Sequence, residues 1–248
     1  MSVAPVDFDA PAPPPPAWFP AVARRFAAAP AGDVLAWVVT TFGSDLAVAC
    51  SMQDAVLVDL AVRADPQVEV VFLDTGFHFP ETLETARRIR ARYDLNLVTL
   101  RPDPDAAAYR IARATGGVPP TTAAGAAKSG TDACCEARKV APLERHLAGR
   151  AAWVTGLRRA ESPSRARAAT LEWDARRGLV KVNPIVAWTD DDVARYIADH
   201  DVIVNPLRDR GFESIGCSPC TVAGSGRSGR WAGSGRLECG LHLVGRKG

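Results

Sequence analysis

Long apolar runs are missing from this 248-residue chain. No stretch of about 18 apolar residues occurs, so no membrane-spanning helix is expected. The N-terminus lacks a basic region followed by an apolar one, so no secretory signal is expected and a cytoplasmic setting is inferred. An excess of one charge is also missing. Thirty Lys and Arg face 28 Asp and Glu, a formal net charge of +2, which argues against general affinity for nucleic acid. Six cysteines are too few for a disulfide scaffold. Internal repeats are absent. What is present is 47% hydrophobic residues, enough to bury one substantial core, or one core plus a lobe.

Residues 1–17 carry Pro11-Ala12-Pro13-Pro14-Pro15-Pro16 and read as a polyproline-type or disordered, Pro-rich leader. Short alanine-rich helices are predicted near 19–29 and 32–42. An alternation follows. Strands are predicted at 45–50, 68–73, 95–100 and 152–155, and helices at 53–63, 80–93, 103–115 and 132–148. Ser51 is placed as N-cap of the first of these helices. Pro80, Glu81 and Glu84 mark the start of the second. Residues 166–182 read as a hairpin or two short strands around Asp174 and Gly178. Thr189-Asp190-Asp191-Asp192 caps a helix running to about His200. Strand and helix in succession imply an α/β fold, a parallel sheet flanked by helices, with ligands bound at the carboxyl ends of its strands. The stretch 211–235, rich in Gly, Ser and Arg, reads as a mobile arm.

Three motifs sit at strand ends. Cys50-Ser51-Met52-Gln53-Asp54-Ala55 could form an anion site at a helix start. It is not a Walker loop, and alone it fits an ordinary strand-to-helix turn. Cys50 reads as a small buried hydrophobe. Leu73-Asp74-Thr75-Gly76 suits contact with a base or ribose, or a plain turn. Gly156-Leu157-Arg158-Arg159 and Ser162-Pro163-Ser164-Arg165 suit an oxyanion clamp, or a solvated basic face.

Cysteine carries the most specific signal. Cys134-Cys135 and Cys217-Ser218-Pro219-Cys220 form two close pairs, the pattern of a four-thiolate metal site. Adjacent cysteines do not suit a common zinc ribbon, but they can reach two corners of an iron–sulfur cube. A structural zinc is the other reading. Lys139, four residues after Cys135 on the same predicted helix, could face the metal or an anion beside it. Cys239 has no such partner and lies near Arg227, Arg230, Arg236 and His242 in the sequence. Positive surroundings enlarge the thiolate fraction of a cysteine and make it a nucleophile; a stray thiol on a frayed tail is the alternative.

Taken together these segments resemble the assimilatory adenylylsulfate (APS) reductases, members of the phosphoadenylylsulfate (PAPS) reductase family with an adenine-nucleotide hydrolase-like (PP-loop-like) α/β fold. The resemblance covers roughly 45–242 and also rests on Phe79-Pro80-Glu81-Thr82, Cys134 to Val140, Ile215 to Thr221, Arg227-Ser228-Gly229-Arg230-Trp231 and Glu238-Cys239-Gly240-Leu241-His242. It implies a [4Fe–4S] cluster on Cys134, Cys135, Cys217 and Cys220. It implies Cys239 as the nucleophile, with S-sulfocysteine as intermediate and thioredoxin releasing sulfite. It places Lys139, Arg165, Arg227, Arg230 and His242 at the phosphosulfate, and Ser51, Leu73, Gly156 and Arg158 at the AMP part. It implies a division into leader (1–17), reductase domain (18–210), and cluster loop with a mobile catalytic tail (211–248). A homo-oligomer is left open. Relatives often carry Asp-Gln where Ala160-Glu161 stands here, and Lys-Thr where Arg236-Leu237 stands. The rival readings are a PAPS reductase, or an iron–sulfur or zinc protein without catalysis.

Overall fold

The computed structural model describes residues 13–103 and 132–231, with Glu238 and Leu241. The helix expected at 103–115 lies outside this range but for its first residue. Helices α1 (Phe19–Arg25) and α2 (Ala31–Phe42) lead into β1 (Leu46–Cys50), α3 (Val56–Ala64), β2 (Val70–Leu73), α4 (Pro80–Tyr93) and β3 (Leu97–Leu100). After the gap come α5 (Asp132–Cys135), a π-helical stretch (Glu136–Val140), α6 (Ala141–Leu147) and β4 (Ala152–Thr155). Then follow β5 (Leu171–Asp174), β6 (Leu179–Val182) and α7 (Asp190–His200). No helix among the described residues is long and apolar enough to cross a membrane.

The six strands form one sheet in the order β3-β2-β1-β4-β6-β5. Every pairing is parallel except β5 with β6, so the sheet is mostly parallel and the expected hairpin supplies an antiparallel edge. Side chains alternate across the sheet, as the period of two demands. Leu46, Val48, Val70, Phe72, Ala152 and Val154 point into the larger core, under α1, α2 and α3. Ala47, Val71 and Trp153 point the other way, onto Leu143 and Leu147 of α6. This two-sided burial explains why the strands read as continuous apolar runs. On the larger-core side, the buried Asp59 of α3 accepts hydrogen bonds from Arg63 Nε (2.6 Å), Tyr93 OH (3.1 Å) and Tyr196 OH (2.6 Å), tying α3 to α4 and α7. The capping box at α7 is as expected: Thr189 Oγ1 accepts from the Asp192 amide at 3.1 Å.

The structure corrects four local readings. Ser51 is not a helix cap. Helix α3 starts at Val56, whose amide donates to Asp54 Oδ1 at 3.1 Å. Residues 52–55 instead pair with a distant segment: the Ala55 amide donates to Ile203 O at 2.9 Å, and the Asn205 amide to Gln53 O at 3.1 Å. Second, the helix expected at 132–148 is interrupted by the π stretch, where the Ala141 amide reaches back to Glu136 O. Pro142 follows and has no amide hydrogen to continue an α-helical ladder. Third, the stretch 211–231 is irregular but well tied: the Ser218 amide donates to Phe77 O at 2.7 Å and the Trp231 amide to Cys220 O at 2.8 Å. Fourth, the end of the leader lies on the sheet edge, where Trp173 Nε1 donates to Pro13 O at 2.8 Å.

Candidate functional site

Strand order turns at β1, which runs toward β2 and β3 on one side and toward β4 on the other. A parallel sheet opens a crevice at such a point, beyond the carboxyl ends of its strands. Here it is a cavity of about 210 Å³. Cys50 and Ser51 line it from the end of β1, Leu73 from β2, and Thr155, Gly156 and Arg158 from β4 and the loop beyond it. Three strand-end motifs thus meet in one place because the sheet brings their ends together. Cys50 is a bystander there: burial pushes its thiol up to about 12, so it stays neutral near pH 7. Asp54 also lines the cavity, and burial pushes its carboxyl above the ordinary range.

Cations gather at the same cavity: Lys139 from the π stretch, Arg158, Arg165, Arg208, Arg227 and Arg230. Their side chains are not equally available. Arg158 donates to Asp190 Oδ1 at 2.8 Å and to Trp188 O at 3.3 Å, so it anchors the start of α7 as well as bordering the cavity. Arg165 is buried and committed to Glu238, at 2.7 Å through Nε and 3.0 Å through Nη2, with Glu161 on its remaining nitrogen. Arg227 reaches the same Glu238 carboxylate at 3.2 Å. Burial first, then the charge of Arg165, lowers the Arg227 pKa. Arg230 stacks over Trp231, 4.6 Å from the ring centroid, and donates to Ile215 O at 3.2 Å. Its Nε is buried with no hydrogen-bond partner among the described residues, which leaves a donor for a ligand oxygen. Gly216 passes so close that a Cβ there would lie 2.4 Å from the Arg230 Cζ.

The two cysteine pairs, separate in sequence, are brought within electrostatic reach of one another. Burial, then the neighbouring Cys135, pushes the Cys134 thiol up to about 12, and Cys217 and Cys220 act in the same direction. Cys135 and Cys220 share an apolar cluster with Trp231 and Leu241. Thr75 Oγ1 lies 3.3 Å from Cys217 Sγ. Among the described residues, no three His, Cys, Asp or Glu side chains are drawn together around a single metal ion. Four thiolates are a donor set that a structural zinc and an iron–sulfur cube can both use.

Cys239 and His242 lie outside the described residues. Glu238 and Leu241, which flank the Cys239-Gly240 pair, do not. Glu238 is buried against Arg165 and Arg227, and Leu241 lines the cavity. Sequence reasoning missed the part played by Glu238, because nothing local pairs it with an arginine 73 residues away. It also missed His78, which lines the cavity and whose Nε2 lies 2.8 Å from Leu73 O. Burial lowers the His78 pKa, and since a carbonyl can only accept, Nε2 donates to Leu73 O.

Residues 45–223 match the model of the phosphoadenosine phosphosulfate reductase domain. An adenosine 5'-phosphosulfate reductase of Mycobacteroides abscessus is 46% identical over 230 residues, covering 90% of this chain and 93% of that protein. One from Streptomyces coelicolor is 44% identical, covering 88% and 91%. Among solved structures, the phosphoadenylyl-sulfate reductase of Candida auris in complex with phosphate superposes with a TM-score of 0.64 at 26% identity. That match covers 82% of this chain and 95% of that one.

Proposed function

The chain belongs to the phosphoadenosine phosphosulfate reductase family, and from that premise we propose that it reduces APS to sulfite and AMP, with Cys239 as the nucleophile and thioredoxin as the source of electrons. One observation carries the reading: Ser51, Leu73 and Gly156 meet Lys139, Arg227 and Arg230 around a single cavity at the sheet's switch point. Neutral strand-end groups on one side suit a nucleoside. Cations on the other suit a phosphosulfate.

The Cys239 thiolate attacks the sulfate sulfur of APS. A sulfur–sulfur bond forms, the bond from sulfur to the bridging oxygen breaks, and AMP leaves with that electron pair. Lys139, Arg227 and Arg230 supply positive charge where phosphate oxygens gain negative charge. His242, by resemblance, adds to that group. A thioredoxin thiolate then attacks Cys239 Sγ, sulfite leaves with the electron pair of the sulfur–sulfur bond, and the second thioredoxin thiol frees Cys239 as the disulfide closes. Ser51, Leu73, Gly156 and Arg158 hold the AMP portion. Cys134, Cys135, Cys217 and Cys220 would hold a [4Fe–4S] cluster, which supplies a structural and electrostatic partner beside the pocket.

Mixing the protein with APS in the absence of reductant is expected to add one sulfonate group to Cys239, seen by intact-mass spectrometry and peptide mapping. An unchanged mass refutes the mechanism. Turnover of PAPS exceeding that of APS would transfer the activity to the other substrate of the family.

Gly216 offers a second check. The atoms that an added methyl would strike belong to the end of an arginine side chain, so Gly216→Ala displaces Arg230, which loses its stacking on Trp231 and its bond to Ile215 O. Charge-assisted hydrogen bonds contribute about 1.5–3 kcal/mol, so the KM for APS should rise about tenfold or more. An unchanged KM would remove Arg230 from the substrate site.

A further inference from the structure

Arg165 presents a difficulty for any account in which it binds substrate. All three of its guanidinium nitrogens are taken by carboxylates of the protein: Nε (2.7 Å) and Nη2 (3.0 Å) by Glu238, and Nη1 by Glu161. Its planar fork is matched to the two oxygens of Glu238, the arrangement that gives a guanidinium its strongest and most directional contact. Arg227 adds a third bond to that carboxylate at 3.2 Å, and Ser164 Oγ a fourth at 3.5 Å. Glu238 is buried. Burial alone would raise its pKa, but Arg165, with Arg227 and Arg230, holds the carboxyl below the ordinary range. Three residues further along, Leu241 packs against the cluster of Trp231 and Cys135 and lines the cavity. The chain is therefore tied down on both sides of the Cys239-Gly240 pair, by charge before it and by an apolar contact after it.

We propose that Glu238, docked between Arg165 and Arg227, is the latch that positions the tail for attack on bound substrate, and that Arg165 is a positioning residue serving this carboxylate. The proposal rests on Cys239 being the nucleophile. It assigns to Arg165 a task different from the phosphosulfate contact expected from the sequence. The bonds of such a latch are strong enough to define one geometry, since orientation governs the rate of a bound reaction.

The full-length chain as Glu238→Gln and Glu238→Asp, beside the unaltered protein, tests this. Three quantities are read: AMP dissociation, the rate of adduct formation with APS in the absence of reductant, and the rate of tryptic cleavage after Arg236. In Glu238→Gln, AMP affinity should stay within about twofold, adduct formation should slow about thirtyfold, and cleavage should quicken about tenfold. Glu238→Asp keeps the charge on a shorter stem and should fall between. Cleavage and adduct rates equal to those of the unaltered protein overturn the latch. Tighter AMP binding or faster adduct formation in Glu238→Gln also overturns it, because the carboxylate would then be a competitor of substrate. Should the unaltered chain form no adduct, the reading of the reaction fails, while the cleavage rates still decide whether Glu238 holds the tail.

Discussion

Replacing Cys239 with serine should lower sulfite production from APS by at least about 10⁴-fold while AMP binding stays within about twofold. The reason lies in both halves of the reaction. Near neutral pH an alcohol carries almost no anion, whereas a thiol in positive surroundings is substantially ionised. An ester formed on serine would in any case present oxygen, not sulfur, to the incoming reductant thiol, so the sulfite-releasing exchange has no sulfur–sulfur bond to open. Sulfite release is followed with APS and thioredoxin in excess, and AMP binding by calorimetry. Residual turnover above about a tenth of the original would show that another group does the chemistry. Cys50 is a poor candidate for that group, since burial keeps it protonated. A binding protein without catalysis would show no sulfite release to lose, so the unaltered chain separates that rival.

The second large effect concerns the paired cysteines. Protein purified without oxygen should carry about four irons and about four sulfides per chain and absorb in the visible blue; Cys217→Ser should carry fewer than about one iron and lose both colour and turnover. Cys217 is chosen because it is buried and held from two sides: its Sγ lies 3.3 Å from Thr75 Oγ1, and its carbonyl accepts from Thr221 Oγ1 at 2.9 Å. Serine there offers a harder ligand on a shorter bond, in surroundings shaped around a thiol. Iron and sulfide analysis gives the answer independently of activity. One zinc per chain and no colour in the unaltered protein would replace the cube with a lone structural ion. Retention of full iron by Cys217→Ser would remove this residue from the ligand set.

How much of this was legible beforehand differs from residue to residue. The strands at β1, β2 and β4 were readable because both faces are buried, which leaves unbroken apolar runs. The hairpin was readable from Asp174 and Gly178; the latter has a positive φ of 66° in the turn. The cap at Thr189 was readable because its partner is three residues away. Ser51 misled because a hydroxyl beside a strand end satisfies the local rule for a cap, while the loop takes its partners from 203–205. The Asn205 side chain that donates to Met52 O comes from 153 residues along the chain. The arm read at 211–235 misled over its described part, 211–231, because Gly, Ser and Arg suggest solvent. Here, Gly229 lets two backbone segments touch: a Cβ would lie 2.1 Å from Val222 O. Arg230, in turn, is buried against Trp231.

By itself the amino-acid sequence determined the succession of strands and helices among the described residues, the six cysteines with four of them in two pairs, and the cations at strand ends. Each is a matter of residue identity or of neighbours within a few positions. Only the tertiary structure decided that the hairpin joins the sheet beside β4, that Pro142 follows a π turn, that Arg158 grips Asp190, and that Arg165 is consumed by Glu238. These outcomes depend on which groups the folded sheet brings within about 3 Å of one another. A charged side chain takes the best partner in space, and sequence spacing does not record that choice.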